Sequence, residues 1–284
     1  MFIIIGAVVV LGSLVTGFSM AGGNLAALIQ ISEFITIGGA ALGALLIMTP
    51  LPTLKKMIAS ITKALGHKHI EKEDYMKLLK AFYDIFLVAQ RDGLLAIEKH
   101  IEDPAASEIL SQSDKLVKNE TASAFFADTL KVMLSGGVPP HEIEALMDTE
   151  IETFETETKP IGGLLSKLGD SFPGLGIVAA VLGIIVTMSS INEGAEAVGH
   201  HVAAALVGTF LGVLLAYGFV GPLATNIEHM YEDEARFLET IKTAVVAYAK
   251  GNPPIVAVEI ARRTLFSDVR PTFTELENYL RGKG

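Results

Sequence analysis

The chain has 284 residues, 50% of them hydrophobic, with 22 Lys and Arg against 32 Asp and Glu and neither Cys nor Trp. A mean hydropathy of +0.47 and four long uncharged runs, 1–32, 34–54, 171–192 and 197–227, argue against a soluble globular protein, because that many charge-free stretches are hard to bury in one mid-sized chain. The lack of cysteine leaves no disulfide framework, and no nucleic-acid partner is expected.

A helix rising about 1.5 Å per residue needs about 20 apolar residues to cross a bilayer core. The last three runs each suit one span. The first is too long for one, and Gly22-Gly23-Asn24 breaks it with turn chemistry. Four spans are therefore predicted, near 1–20, 27–49, 173–192 and 201–223. The first has no basic leader and no Ala-x-Ala site, so it reads as a span and not as a signal peptide. Fourteen of the cations lie between 55 and 167, the other eight between 236 and 283, and none in the connections 20–27 and 193–200. The positive-inside rule then puts both termini and the loop 50–170 in the cytoplasm, with an inner bacterial membrane as the fitting location.

In chain order, Gly6, Gly12, Ser13 and Gly17 mark the first span and Gly38-Gly39-Ala40-Ala41 and Gly43 the second. Glu33 is the only acid among the first 70 residues; near the outer end of its span it reads as an interfacial, solvated carboxylate. Pro50 and Pro52 end the second span. From residue 71 the pattern is that of amphipathic helices. An acidic first turn, Glu71 to Asp74, suits the N-terminal dipole, and Leu79, Phe82 and Phe86 form a stripe that Gly93 ends or bends. Residues 94–102 read as a short helix and about 120–134 as another.

Pro139-Pro140 opens a long amphipathic helix with Ile143, Met147, Ile151 and Phe154 on one face. Its opposite face carries Glu142, Glu144, Asp148, Glu150, Glu152, Glu155 and Glu157, either solvated, paired with a basic neighbour, or set as a cation-attracting vestibule. The tail is helical to about 250, breaks at Gly251-Asn252-Pro253-Pro254, and continues in helices near 255–265 and 272–281, the second opened by a Thr272/Glu275 capping box.

The third and fourth spans form a hairpin with small residues at helical spacing: Gly176, Ala180 and Gly183 on one arm, Ala205, Gly208, Gly212 and Ala216 on the other. Such faces let backbones approach closely in lipid. Pro173 is either the N1 residue of its helix or functional; Pro222 should kink or end its span. Gly174-x-Gly176-x-x-Ala179 follows no strand and is not a dinucleotide fingerprint. His200-His201 reads as an interfacial pair. No Walker sequence, metal-ligand spacing or serine elbow occurs, so neither an enzyme nor a cofactor or metal is expected. No titratable side chain lies mid-span, where charges usually mark ion paths. If the chain moves ions, the carboxylate comes from another chain, and Thr209 is the hydroxyl in the middle of the fourth span.

The stretches GDSFPGLGIVAAVLG (169–183), LVGTFLGVLLAYGFVGPLAT (206–225), HEIEALMDTEIETFE (141–155) and PPIVAVEIARRTLFSDVRPTFTELE (253–277) resemble the MotA family of flagellar motor stators. The resemblance implies an all-α membrane protein: spans one and two in 1–50, a cytoplasmic helical domain in 51–170, the ion-path hairpin in 171–225 and cytoplasmic helices in 226–284. It implies five chains ringed around two copies of a MotB-type, peptidoglycan-binding partner whose single span supplies a proton-binding aspartate, with the small-residue faces at Gly176, Ala180 and Gly183 and at Gly208, Gly212 and Ala216 lining the close-packed ring. By the same resemblance, Pro173 and Pro222 couple ion passage to conformational change, Thr209 faces the ion route, and Tyr217 belongs to that path. Sodium-driven relatives carry threonine where Ala180 and Gly208 stand, which implies a proton path. Glu98 matches a rotor-facing glutamate. The matching arginine position holds Gln90, with Arg91 one residue on and so turned about 100° around the helix. The rotor protein FliG and membrane lipid are the further partners implied. The alternatives are a TolQ/ExbB-like energiser of outer-membrane processes, a group with typically three spans, or a purely structural membrane scaffold.

Overall fold

The computed structural model describes residues 2–66 and 68–282, and nearly all ordered elements in it are helical. Four of its helices are long and apolar enough to cross a membrane. The chain divides into two compact units, the first of residues 1–68 and 158–230, the second of 69–157 and 231–284.

In the first unit, α1 (Phe2–Met20) buries no residue fully, but Ile3, Ala7, Val10 and Leu14 form a half-buried stripe and the other Val, Ile and Leu side chains are exposed. It stops because Gly22 takes φ +80°. The Gly22 N–H then donates to Ser19 O at 3.0 Å and the Gly23 N–H to Phe18 O at 2.9 Å, the paired bonds that close a helix on a left-handed residue. Asn24 caps a single 3-10 turn, Leu25–Leu28, by accepting from the Ala26 N–H. The second span, α2 (Ile31–Met48), therefore begins later than residue 27.

Pro50 and Pro52 do bound α2, but they also open α3 (Leu51–Gly66), a helix the sequence pattern did not mark. A proline in a first turn loses only an N–H that has no helical partner anyway. Helix α3 falls with the spans in the first compact unit.

The second unit is built on α4 (Lys72–Asp92), whose stripe of Tyr75, Leu78, Leu79, Phe82, Ile85 and Phe86 is fully interior. The expected helix over 94–102 is a 3-10 turn, Leu94–Ile97, followed by α5 (Glu98–Glu102). After α6 (Asp114–Val117) comes α7 (Glu120–Ser135), which lays Phe126 on Phe82 with ring centroids 4.9 Å apart. Aromatic pairs of this kind add about 0.5–1.5 kcal/mol to their area burial.

Helix α8 (Pro140–Ser189) is one helix of 50 residues that carries both the acidic amphipathic stretch and the third span. The fourth span, α9 (Ala195–Val213), runs through a π-helical segment, Leu214–Val220, into α10 (Gly221–Ala249). Tyr248 of α10 stacks on Phe86 at 4.4 Å, closing the second unit's core.

Part of the acidic face of α8 is paired, not free: Lys242 donates to Asp148 and Lys250 to Glu144, each at 2.7 Å. Burial would lower the Lys242 pKa, but its hydrogen bonds to Asp148 and Glu239 outweigh that and hold it above the ordinary lysine range. Gly251, at φ +87°, ends α10 with the same pair of bonds as Gly22, Gly251 N–H to Tyr248 O and Asn252 N–H to Ala247 O. Short helices α11 (Pro254–Arg262) and α12 (Phe273–Leu280) complete the unit.

The capping box of α12 is formed as expected: the Glu275 N–H donates to Thr272 Oγ1, and the Thr272 N–H to Glu275 Oε2. Glu275 also receives the Lys72 ammonium from the start of α4 at 2.7 Å. That hydrogen bond, with those from Thr272, lowers the Glu275 pKa from 4.5 to about 2. A depressed carboxylate pKa stabilises the fold above the unfolded value and ceases to do so as pH falls through the folded one. Glu275→Gln should therefore lower the melting temperature near pH 7, and the gap from wild type should close between pH 4.5 and 2. Thermal scans at a series of pH values check this; a gap that persists at the acid end would assign Glu275 a packing role.

Candidate functional site

The geometry is concentrated where the third and fourth spans cross. A methyl group placed on Gly176 would lie 2.8 Å from Gly208 O and 3.1 Å from Gly212 Cα. One on Gly212 would lie 2.5 Å from Phe172 O and 2.9 Å from Gly176 Cα. One on Gly183 would lie 2.7 Å from Ala205 Cβ. The two helices therefore touch backbone to backbone along this face. Van der Waals contact of this kind is what holds helices together in lipid, where apolar side chains gain nothing by association.

These glycines are expected to line a ring around partner helices; within the single chain they pack the two arms of the hairpin against each other. Around the crossing, Ile37, Ala41, Phe172, Ala179, Val207, Leu211 and Ala216 form one buried cluster.

The crossing brings several of the expected residues together. Ala180 N lies 3.3 Å from the point where a Gly208 methyl would sit, and Thr209 Cα 3.3 Å from that of Gly176. Ala180 and Thr209 are half-buried. Tyr217 lies in the π-helical segment, 68% exposed.

Pro173 is not a first-turn residue. It lies deep inside α8, as does Pro160. A proline inside a helix removes one hydrogen bond and crowds the preceding turn, so it is a point of weakness in a continuous rod. Pro222 does not end its helix either. It follows directly on the π-helical segment Leu214–Val220, whose wider turn is a local irregularity that goes with a missing N–H, and α10 continues to Ala249.

Glu33 is the residue that sequence reasoning misplaced. It is not solvated: it is 6% exposed, and its Oε2 has no hydrogen-bond partner among the described residues. A Gly208 methyl would lie 2.5 Å from that oxygen. The available signal was its isolation, one acid between two uncharged runs.

Away from the hairpin, Gln90 and Arg91 at the end of α4 line a cleft of about 470 Å³ with Asp84, Leu87, Val88 and Ile109. Both are exposed, and Arg91 pairs with its neighbour Asp92 at 2.7 Å. Glu98 is exposed at the start of α5 and has no ion-pair partner among the described residues. Leu94 and Leu95 between them are also exposed, the latter by 74%.

Comparison with known proteins decides the family. Residues 4–93 match the Motility protein A N-terminal family and residues 117–240 the MotA/TolQ/ExbB proton channel family. Motility protein A of Salmonella typhimurium is 37% identical over 281 residues, 99% of this chain and 95% of that one. The chain belongs to the motility protein A family. The Escherichia coli Motility protein A shows the same identity and coverage, and the chemotaxis protein LafT of Vibrio parahaemolyticus is 33% identical over 97% of each chain.

Two solved structures share the fold. The C. jejuni MotAB chain superimposes with a TM-score of 0.78 at 21% identity, covering 94% of this chain and 96% of that one. A chain of the Bacillus subtilis flagellar MotAB stator complex gives 0.75 at 24%, covering 93% and 94%. In this family member the hairpin contact makes a sharp prediction. Gly212→Ala or Gly212→Leu should prevent a properly folded hairpin, since the added carbon meets backbone atoms that cannot yield. Gly174→Ala, in the same span with open space around it, should be tolerated. Yield and monodispersity of the detergent-purified protein compare the two; a well-folded Gly212→Leu would remove the close contact from the argument.

Proposed function

We infer that the chain is the membrane-embedded stator subunit of a bacterial flagellar motor, a non-enzymatic component of a proton channel whose ion flow drives rotation. The observation that carries this is a match to motility protein A over 99% of the chain, joined to a hairpin whose apolar arms carry a hydroxyl, Thr209, and no mid-span charge. The reading adopts a single-span partner of MotB type, since the structural relatives are MotAB complexes.

In this reading the chains assemble as a ring, five around two partner helices, in the bacterial inner membrane, with both termini in the cytoplasm. The cation distribution favours that orientation. A partner aspartate binds the proton beside Thr209. A charged side chain at mid-bilayer costs about 3 kcal/mol on insertion scales. Protonating the aspartate removes that cost and changes how closely the partner helix fits against the ring. Pro173 and Pro222 are the yielding points, and Ala180 and Gly208 leave no hydroxyl cage for sodium. Tyr217 completes the path.

Glu98, with Gln90 and Arg91 on the adjoining exposed end of α4, is the proposed face for charged groups of the rotor protein FliG. The exposed Leu94 and Leu95 beside them fit a surface that meets another protein. Exposed charge pairs contribute about 0–1 kcal/mol each. Glu98→Lys should therefore reduce torque while leaving membrane insertion and expression unchanged, as read from tethered-cell rotation and immunoblots. Loss of the protein itself would make Glu98 structural.

The ion assignment is tested by expressing the chain with its partner in a stator-deleted host. Swimming should persist without sodium and fall when the proton gradient is collapsed, and this chain alone should conduct nothing. Motility that follows external sodium at constant proton-motive force would overturn it.

A further inference from the structure

We propose that Glu33 is a second proton-carrying carboxylate of the ion path, contributed by this chain and not by the partner. The proposal rests on the stator reading above. Three observations support it. Glu33 is more than nine-tenths buried, at 6% exposure. Its Oε2 meets no hydrogen-bond donor among the described residues. That oxygen is aimed at Gly208, at the turn that also carries Thr209 and faces Ala179 and Ala180.

An ionised carboxylate oxygen sealed from water without a donor is among the costliest arrangements a protein interior can hold. Position 208 makes room for it, because any side chain there would collide with the carboxylate. The glycine at 208 thus serves two contacts, the close approach of α8 on one side and the Glu33 carboxylate on the other.

The surroundings supply no counter-charge. Helix α2 holds no other titratable residue, and neither do α1, the 3-10 turn Leu25–Leu28, or α8 beyond Asp170. On α9 the titratable residues are Glu196, His200 and His201, all in its first two turns and so well removed along the helix from Gly208. The proton balance is simple. A proton arriving from the outer water joins a carboxylate oxygen, the charge goes from −1 to 0, and the same proton leaves for the next acceptor, restoring the anion. No electron is transferred. Glu33 sits in the first turn of α2, next to the cation-free α1–α2 connection, with its carboxylate at the Gly208–Thr209 turn.

The test uses the full chain co-expressed with its partner. Glu33→Gln keeps the shape and the hydrogen-bonding capacity but binds no proton. The complex should assemble, with proton flux reduced severalfold and the dependence of swimming speed on external pH flattened, whereas Glu33→Asp should retain flux with a shifted pH profile. A Glu33→Gln complex whose flux and pH profile equal those of wild type would overturn the proposal and leave Glu33 a packing role. If Glu33→Gln fails to assemble, Glu33→Asp decides, since an unchanged pH profile in that variant overturns it equally. Infrared difference spectra of the wild-type complex give an independent reading: a protonated carboxyl band that titrates with external pH and disappears in Glu33→Gln supports the role. A wild-type pair that neither conducts protons nor supports swimming would instead sink the stator reading itself.

Discussion

Everything in the membrane unit depends on one contact, the backbone-to-backbone approach of the third and fourth spans at Gly176 and Gly212. In water, a leucine stripe on each helix would bring them together. In lipid, the tails satisfy leucine as well as a neighbouring helix does, so the energy of association comes from how closely the backbones fit. Removing Cβ at Gly176, Gly208 and Gly212 allows that fit. The side chains of the proposed ion path follow from it. Ala180, Gly208 and Thr209 share one location because the glycines around them have none of the bulk that would push the arms apart. The chemistry of the site is positioned by residues that have no chemistry.

Much of this was legible in the sequence because lipid imposes a severe code. Four uncharged runs could be read as spans, and the turn at Gly22-Gly23 and the break at Gly251 were marked by residue type alone. The core of the second unit was legible as well, since Leu79, Phe82 and Phe86 repeat at helical spacing and all three are interior. The reading failed where one residue type serves opposite purposes. Pro50 and Pro52 stop one helix and start the next. Pro173 and Pro222 occur inside helices that neighbouring contacts keep intact, though proline in isolation signals an end. Glu33 failed for a different reason. A carboxylate two residues into a span is solvated or buried according to which way it points, and direction depends on tertiary packing, not on local pattern.

The acidic surface of α8 shows a related ambiguity resolved by position. Glu144 and Asp148 face α10 and take Lys250 and Lys242 as partners, so part of the acidic run is structural. A run of like charge on a helix is seldom of one kind along its whole length. The members facing a neighbouring helix are fixed by its cations. Net charge by itself would have treated them alike.

The covalent path between the two units limits how an event at the hairpin reaches the helices of the second unit. The chain passes from one unit to the other at 68–69, 157–158 and 230–231. Two of these passages lie inside uninterrupted helices, α8 and α10. A flexible linker would absorb a displacement of the spans; a helix passes it on, because its backbone hydrogen bonds resist bending except where one is missing. Each of these two helices has such places between its span and its passage: Pro160 and Pro173 in α8, and in α10 Pro222, with the π-helical segment before it. A helix with a few weak points still carries a displacement along its length, while one with many would absorb it. The prolines are thus best understood by their placement: Pro160 and Pro173 ahead of the third span in α8, and Pro222 after the fourth span in α10, all in helices otherwise kept whole.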